Sequence, residues 1–262
     1  MRTDEDGGMR AHGTKEFWLD SLRTDAAAFR TVAAEADLTA TVPTCPDWTV
    51  LDLVQHLGGV YRWIRGFAGR GVTTAPDPAS RRHDYPGADA TLAWFDDEFK
   101  ALLELLEAVD PQMPAYNWAP QPKVAGFWHR RMAHETAVHR WDIQMAQGLA
   151  EPIEDRLAAD GVTEVLDSLL PAGRRTGPTD RYGVVQLVAA DEHHHEEWFI
   201  RLRGEGIALL DTDTLLDADG PDTRVRAVGP ASDLQLALWG RIGFDSLDVS
   251  GDESLLSALR VG

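Results

Sequence analysis

Residues 131–142 read RMAHETAVHRWD, and the interpretation of this stretch decides the fold. Each residue of a helix turns by about 100°, so Glu135 and His139 project from one face, a turn apart. The same stripe takes in Trp128, Met132, Asp142 and Ala146, while Arg130, Arg140, Gln144 and Gln147 cluster opposite. We therefore expect a helix over 127–147, stopped by Gly148, with the carboxylate and imidazole turned inward and the arginines in water. A carboxylate and an imidazole on a buried stripe must be paired or metallated, because an unpaired buried charge is strongly unfavourable. The same spacing also serves as an exposed i,i+4 contact, and taken alone it leaves both readings open.

Working back toward the N-terminus, three more segments carry the helical period. Residues 17–36 place Trp18, Leu19, Leu22, Ala26, Phe29 and Val32 on one side. VPTCPDW then interrupts with two prolines, and Thr49 with Asp52 predicts a capping box opening a helix over 50–67. Its apolar spine is Leu53, Leu57, Val60 and Ile64, with His56 at the edge, able to face the later helix across a bundle. Gly58 and Gly59 follow directly. Glycine inside a helix costs roughly 1 kcal/mol against alanine, so the pair predicts close approach of another backbone or a ligand. A third helix is expected over 88–109, between two proline-punctuated connections. Four such helices with one long crossover suit a bundle.

After Gly148 the pattern changes. EPIEDRLAADGVTEVLDSLL reads as one more helix; DRYGVVQLVAAD, EEWFIRLRGEGIALL, TRVRAVG and SLDVSGD read as short β runs, with ASDLQLALWGR as a helical insert. The expected class is α+β: a bundle over 1–150, then a smaller mixed domain over 151–262.

Composition narrows the partners. The chain has 262 residues, with 43 acidic against 25 basic, a formal charge of −18. Only Lys15, Lys100 and Lys123 supply lysine, so nucleic acid is not an expected partner. No apolar run approaches the roughly 20 residues that cross a bilayer, and the acidic N-terminus does not read as a signal peptide. A single cysteine, Cys45, makes no internal disulfide, which fits a cytoplasmic protein.

VPTCPDWTVLDLVQHLGG (42–59) together with HETAVHRWD (134–142) resembles the DinB-like metal-binding superfamily. Within it, the chain is similar to the maleylpyruvate isomerase family of mycothiol-dependent enzymes of actinobacteria. LAADGVTEVLDSLL (157–170) and RVRAVGPASDLQLALWGR (224–241) extend the likeness over nearly the whole chain. The resemblance implies a DinB-like four-helix bundle whose metal, usually zinc, is held by His56, Glu135 and His139. It implies mycothiol as cosubstrate: a thiol whose thiolate is stabilised by the cation adds to a cis double bond, permits rotation, and leaves. Related members transfer a thiol onto an electrophile. It also implies a functional arginine late in the chain, matched by Arg241, able to clamp a substrate carboxylate. The expected partners are a small thiol and an unsaturated, acid-like electrophile, on a monomer or homodimer. A metal- or ligand-binding protein of the same fold without turnover is the alternative.

Other residues carry expectations of their own. Asp142, a turn past His139, either orients that imidazole or pairs with Arg140 or Arg62. Cys45 reads as a small buried apolar group, and His129 and His134 as surface groups. His193, His194 and His195 resemble a metal tract by composition only and read as exposed. The tryptophans read as core, with Trp118 in its loop placed to wall a pocket.

Overall fold

Two threonines start the first helices. Thr14 accepts a hydrogen bond from the Phe17 amide and opens α1, Lys15–Glu35. Thr49 and Asp52 exchange side-chain and backbone bonds in the capping box read from the sequence, opening α2, Val50–Arg65. The chain continues into α3, Ala88–Ala108, and α4, Gly126–Ala146. Gly148 follows α4 with φ of +67°, the left-handed residue that a helix end favours. The structure is a computed structural model, described for residues 13–81, 84–192, 195–210 and 223–262. Contacts divide it into two units: 13–118 with 122–153, and 154–262 with 119–121.

In the first unit α1 packs along α4 and α2 along α3, with α2 also touching α4. Leu22, Phe29, Leu53, Leu57, Ile64 and Leu102 are fully enclosed between the helices. Here the structure corrects the sequence: α4 has no arginine face in water. Arg130, Arg140 and Gln144 are buried, as are His129 and His134. Arg140 is held by Asp25 of α1 at 3.0 Å, by Gln144 at 2.8 Å, and by the carbonyls of Glu151 and Pro152. A buried cation is tolerated only with such a full set of partners. His129 lies between the carbonyls of Ala125 and Leu106, 3.0 and 2.8 Å away, so it belongs to the interior. Burial lowers its pKa despite those two bonds.

The helical glycines also differ from expectation. A Cβ on Gly58 would fall 2.5 Å from the Trp94 ring, and one on Gly59 would fall 2.8 Å from the Tyr85 hydroxyl. Aromatic side chains, not a backbone or a ligand, occupy the space they leave.

The second unit opens with α5, Asp155–Glu164, capped by the Glu154 carboxylate and prolonged by a wider turn over Val165–Leu169. Five strands follow: β1 Tyr182–Ala190, β2 His195–Arg203, β3 Gly206–Leu210, β4 Arg224–Gly229 and β5 Asp248–Gly251. The run EEWFIRLRGEGIALL is two strands: Arg203 pairs with Gly206 around a two-residue turn whose Gly204 has φ of +67°. The sheet order is β3-β2-β1-β4-β5, antiparallel except for the β1–β4 pair. Helix α6, Ala231–Leu238, follows β4, packs against β1 and β4, and meets α5. A helical bundle followed by a mixed sheet is the α+β class read from the sequence. Among the described residues, no helix is long and apolar enough to cross a membrane.

Candidate metal centre

Three elements of the first unit build the site. Helix α4 supplies Glu135 and His139 one turn apart, and α2 supplies His56. The third is the loop 41–49, closed on itself by backbone bonds from Val42 to Trp48, Cys45 to Val42 and Trp48 to Cys45. Asp47 turns that loop with φ of 70°, a conformation aspartate tolerates better than most residues.

The side chains converge on one point. Nε2 of His56 lies 3.2 Å from Oε1 of Glu135, and Nε2 of His139 lies 3.6 Å from the same oxygen. One ligand atom from each of the three residues lies within 4.8 Å of the others. The two imidazoles meet edge to face at 5.0 Å, and the Trp48 ring covers both, 4.7 Å from His56 and 6.3 Å from His139. His56 is the most open of the three, with 35% of its side chain exposed against 9% for His139.

The surrounding contacts fix which atoms face inward. Nδ1 of His139 is 2.8 Å from Oδ2 of Asp142. An ionised carboxylate only accepts, so Nδ1 carries the proton and Nε2 presents a lone pair. Arg131 holds Oε2 of Glu135, leaving Oε1 to face the histidines. With His139 neutral, its Nε2 lone pair thus faces Oε1 of Glu135. Such an arrangement is stable only with a proton or a cation between them, and two imidazoles with a carboxylate are a donor set that suits a divalent ion.

Without a cation, a proton fills that role. Burial opposes the charged form of His139, but Asp142, Cys45 and Glu135 outweigh it and raise the imidazole well above its usual value. For Glu135, burial works upward while Arg131, His139 and His56 work downward and prevail, holding the carboxyl well below its usual range.

The choice left open for Asp142 is resolved by these contacts. Besides His139, Thr44 donates to its Oδ1 at 2.6 Å and the Cys45 thiol donates to its Oδ2 at 3.4 Å. Arg62 turns instead to Glu98, and Arg140 to Asp25. Cys45 is buried, as expected, but its thiol is a donor to the site and not merely packing. Sequence reasoning missed Arg131, Thr44 and Trp48. Only Arg131 left a signal, an i,i+4 pairing with Glu135.

The remaining candidates lie elsewhere. Arg241 belongs to the second unit, just beyond α6, where it donates to the Trp239 carbonyl at 3.1 Å and sits over that residue's ring at 5.8 Å. His195 begins β2, exposed and 3.2 Å from Glu197; His193 and His194 lie outside the described residues. Trp118 stacks edge-on against Phe127 at 5.3 Å.

Comparison with known proteins gives two family matches and a structural likeness. Residues 19–144 match the model of the mycothiol maleylpyruvate isomerase N-terminal domain, and residues 156–258 match that of the MDMPI C-terminal domain. Among solved structures, the chain is similar to the crystal structure of the mycothiol-dependent maleylpyruvate isomerase and to that of a histidine-to-alanine mutant of it. Each is 15% identical with a TM-score of 0.60, over 92% of this chain and 96% of the other, a likeness of fold. No curated protein matches. The two family matches together span most of the sequence, and the chain belongs to the mycothiol maleylpyruvate isomerase family of enzymes.

Proposed function

We propose that this protein is a metal-dependent, mycothiol-using isomerase or S-transferase acting on a small unsaturated acid. The observation that carries the reading is the convergence of His56 Nε2, His139 Nε2 and Glu135 Oε1 on one point, with Asp142 at Nδ1 of His139 turning its Nε2 to the centre. In this reading the first 150 residues form the DinB-like metal-binding domain, and 151–262 the domain that contributes Arg241.

A divalent ion held by the three residues, zinc in our reading, supplies the positive charge that keeps a thiol ionised at neutral pH. The chain does the rest. Asp142 orients His139, and Arg131 orients Glu135 and takes up its second oxygen, so neither ligand needs to reorganise on binding. Trp48 packs its ring against both imidazoles and limits their movement. His56 stands on the open side, where a small thiol and an electrophile can reach the centre. Arg241 provides a planar fork of donors matched to a carboxylate. A thiol that adds to the double bond and then leaves emerges unchanged from an isomerisation; one that stays on the electrophile is consumed in a transfer. We place the protein in the cytoplasm, as a monomer or homodimer, where such a thiol is available.

A panel of thiols offered with maleylpyruvate tests this directly through loss of substrate absorbance. Turnover with mycothiol, and none without a thiol, supports the reading. Turnover lacking any thiol requirement overturns the cosubstrate role, and inactivity with every thiol overturns the isomerase form of the proposal.

A further inference from the structure

The second unit presents a charged groove that the metal centre does not use. Strand alternation puts Val184 and Gln186 of β1 on the sheet face opposite the enclosed Val185 and Leu187. Register then sets their neighbours. Arg201 of β2 and Arg224 of β4 flank Val184, while Phe199 of β2 and Arg226 of β4 flank Gln186. Ser250 of β5 pairs with Arg226 at the far side. Val184, Gln186, Phe199, Arg224, Arg226 and Ser250 line a groove of about 310 Å³.

The charge pattern of this groove is unexpected in a chain of net charge −18. Arg224 and Arg226 are exposed, two residues apart on one face, and among the described residues neither guanidinium pairs with a carboxylate. Among the described residues, Asp252 bonds the Arg224 carbonyl through its amide and turns its carboxylate to the Ser254 amide at 3.1 Å, while Glu197 and Asp248 lie further along the face. Glu197 is engaged by Gln186 at 2.9 Å and by His195 at 3.2 Å, and Asp248 pairs across to Val228. Like charges gathered on neighbouring sheet positions are destabilising, and an anion seated among them relieves that repulsion. A groove of this volume, with Val184 and Phe199 beside two exposed guanidiniums, has room for a small organic anion.

We propose that this groove binds a small organic carboxylate with an apolar body. The Arg224 and Arg226 guanidiniums take the carboxylate, and the Val184 side chain and Phe199 ring take the body. The site is built from residues of the second unit alone and goes beyond the function proposed above.

Calorimetric titration of the full-length protein with benzoate, benzyl alcohol and inorganic phosphate tests it, on the unsubstituted chain, on His56→Ala, and on the double variant Arg224→Gln/Arg226→Gln. Benzoate is expected to saturate and to bind at least tenfold more tightly than the alcohol or phosphate. The double variant is expected to lose that margin while its thermal unfolding holds or rises, and His56→Ala is expected to retain it. Equal binding of benzoate and its alcohol, or benzoate binding unchanged in the double variant, overturns the proposal. Phosphate binding as tightly as benzoate removes the role of Val184 and Phe199 and also overturns it. Benzoate binding lost only in His56→Ala places the carboxylate at the metal centre, which sinks the sheet-face site and leaves the metal reading intact.

Discussion

His139 donates its Nδ1 proton to Asp142 across 2.8 Å, and that bond decides what its other nitrogen can do. Asp142 also accepts from Thr44 and Cys45, so three donors meet one carboxylate. Asparagine has the same shape, but it must turn an amide group toward at least one of those donors. Asp142→Asn is therefore expected to weaken metal binding roughly 10–100-fold, the usual cost of losing such a partner. Competition against a chromogenic chelator measures it, and affinity equal to that of the unsubstituted protein would falsify the orienting role.

The protonation state of the metal-free centre sets a pH dependence. His139 has a raised pKa in the folded protein, so near neutral pH it is protonated and an arriving cation must displace that proton. Metal affinity is expected to climb with pH until the folded pKa is passed, then level off. Titrations in two buffers of different ionisation enthalpy should give release of about one proton per ion below that point.

The same shifts act on stability. A raised histidine pKa stabilises the metal-free fold fully below the unfolded value of about 6.5, and this is lost as pH rises through the folded pKa. Glu135 works in the other direction: its lowered pKa stabilises above the ordinary carboxylate range, and this is lost as pH falls through the folded value. Urea unfolding of chelator-treated protein across pH should show both flanks. A flat profile contradicts the paired site.

Arg140 is buried against Asp25 on another helix, and removing it takes a cation away from a buried carboxylate. Arg140→Met is expected to cost about 3–5 kcal/mol by urea unfolding, with Asp25→Asn recovering part of the loss in the double variant. A cost below that of an ordinary surface substitution would mean that the pair is solvated.

At Gly58 two effects have opposite signs. Alanine gains about 1 kcal/mol of helix propensity, but its Cβ meets the Trp94 ring at 2.5 Å. Overpacking of this kind costs about 1–3 kcal/mol, so Gly58→Ala is expected to lower Tm, and Trp94→Leu in the same chain to restore it. A rise in Tm for the single variant would show that the ring yields.

Local signals carried over well from sequence to structure. The capping box at Thr49, the turn of α4 that aligns Glu135 with His139, the stop at Gly148 and the β runs all depend on residues a few positions apart. What stayed hidden depends on distant partners. Arg140 reads as a solvent residue until Asp25, 115 positions away, closes on it. His129 reads as surface until the Leu106 carbonyl reaches it from α3. Cys45 and Thr44 meet Asp142 across nearly a hundred positions, and no periodicity records such a contact. The α4 pattern misled because a helix enclosed on all sides needs partners for its charges, not a wet face.

In the function proposed above, His56, Glu135 and His139 share one cation. Equilibrium dialysis against zinc, followed by metal analysis of the purified protein beside His56→Ala and Glu135→Gln, tests it most directly. One ion per chain is expected in the unsubstituted protein, with a large loss in both variants, each still folded by circular dichroism. Equal metal content in all three, or none in any, contradicts it.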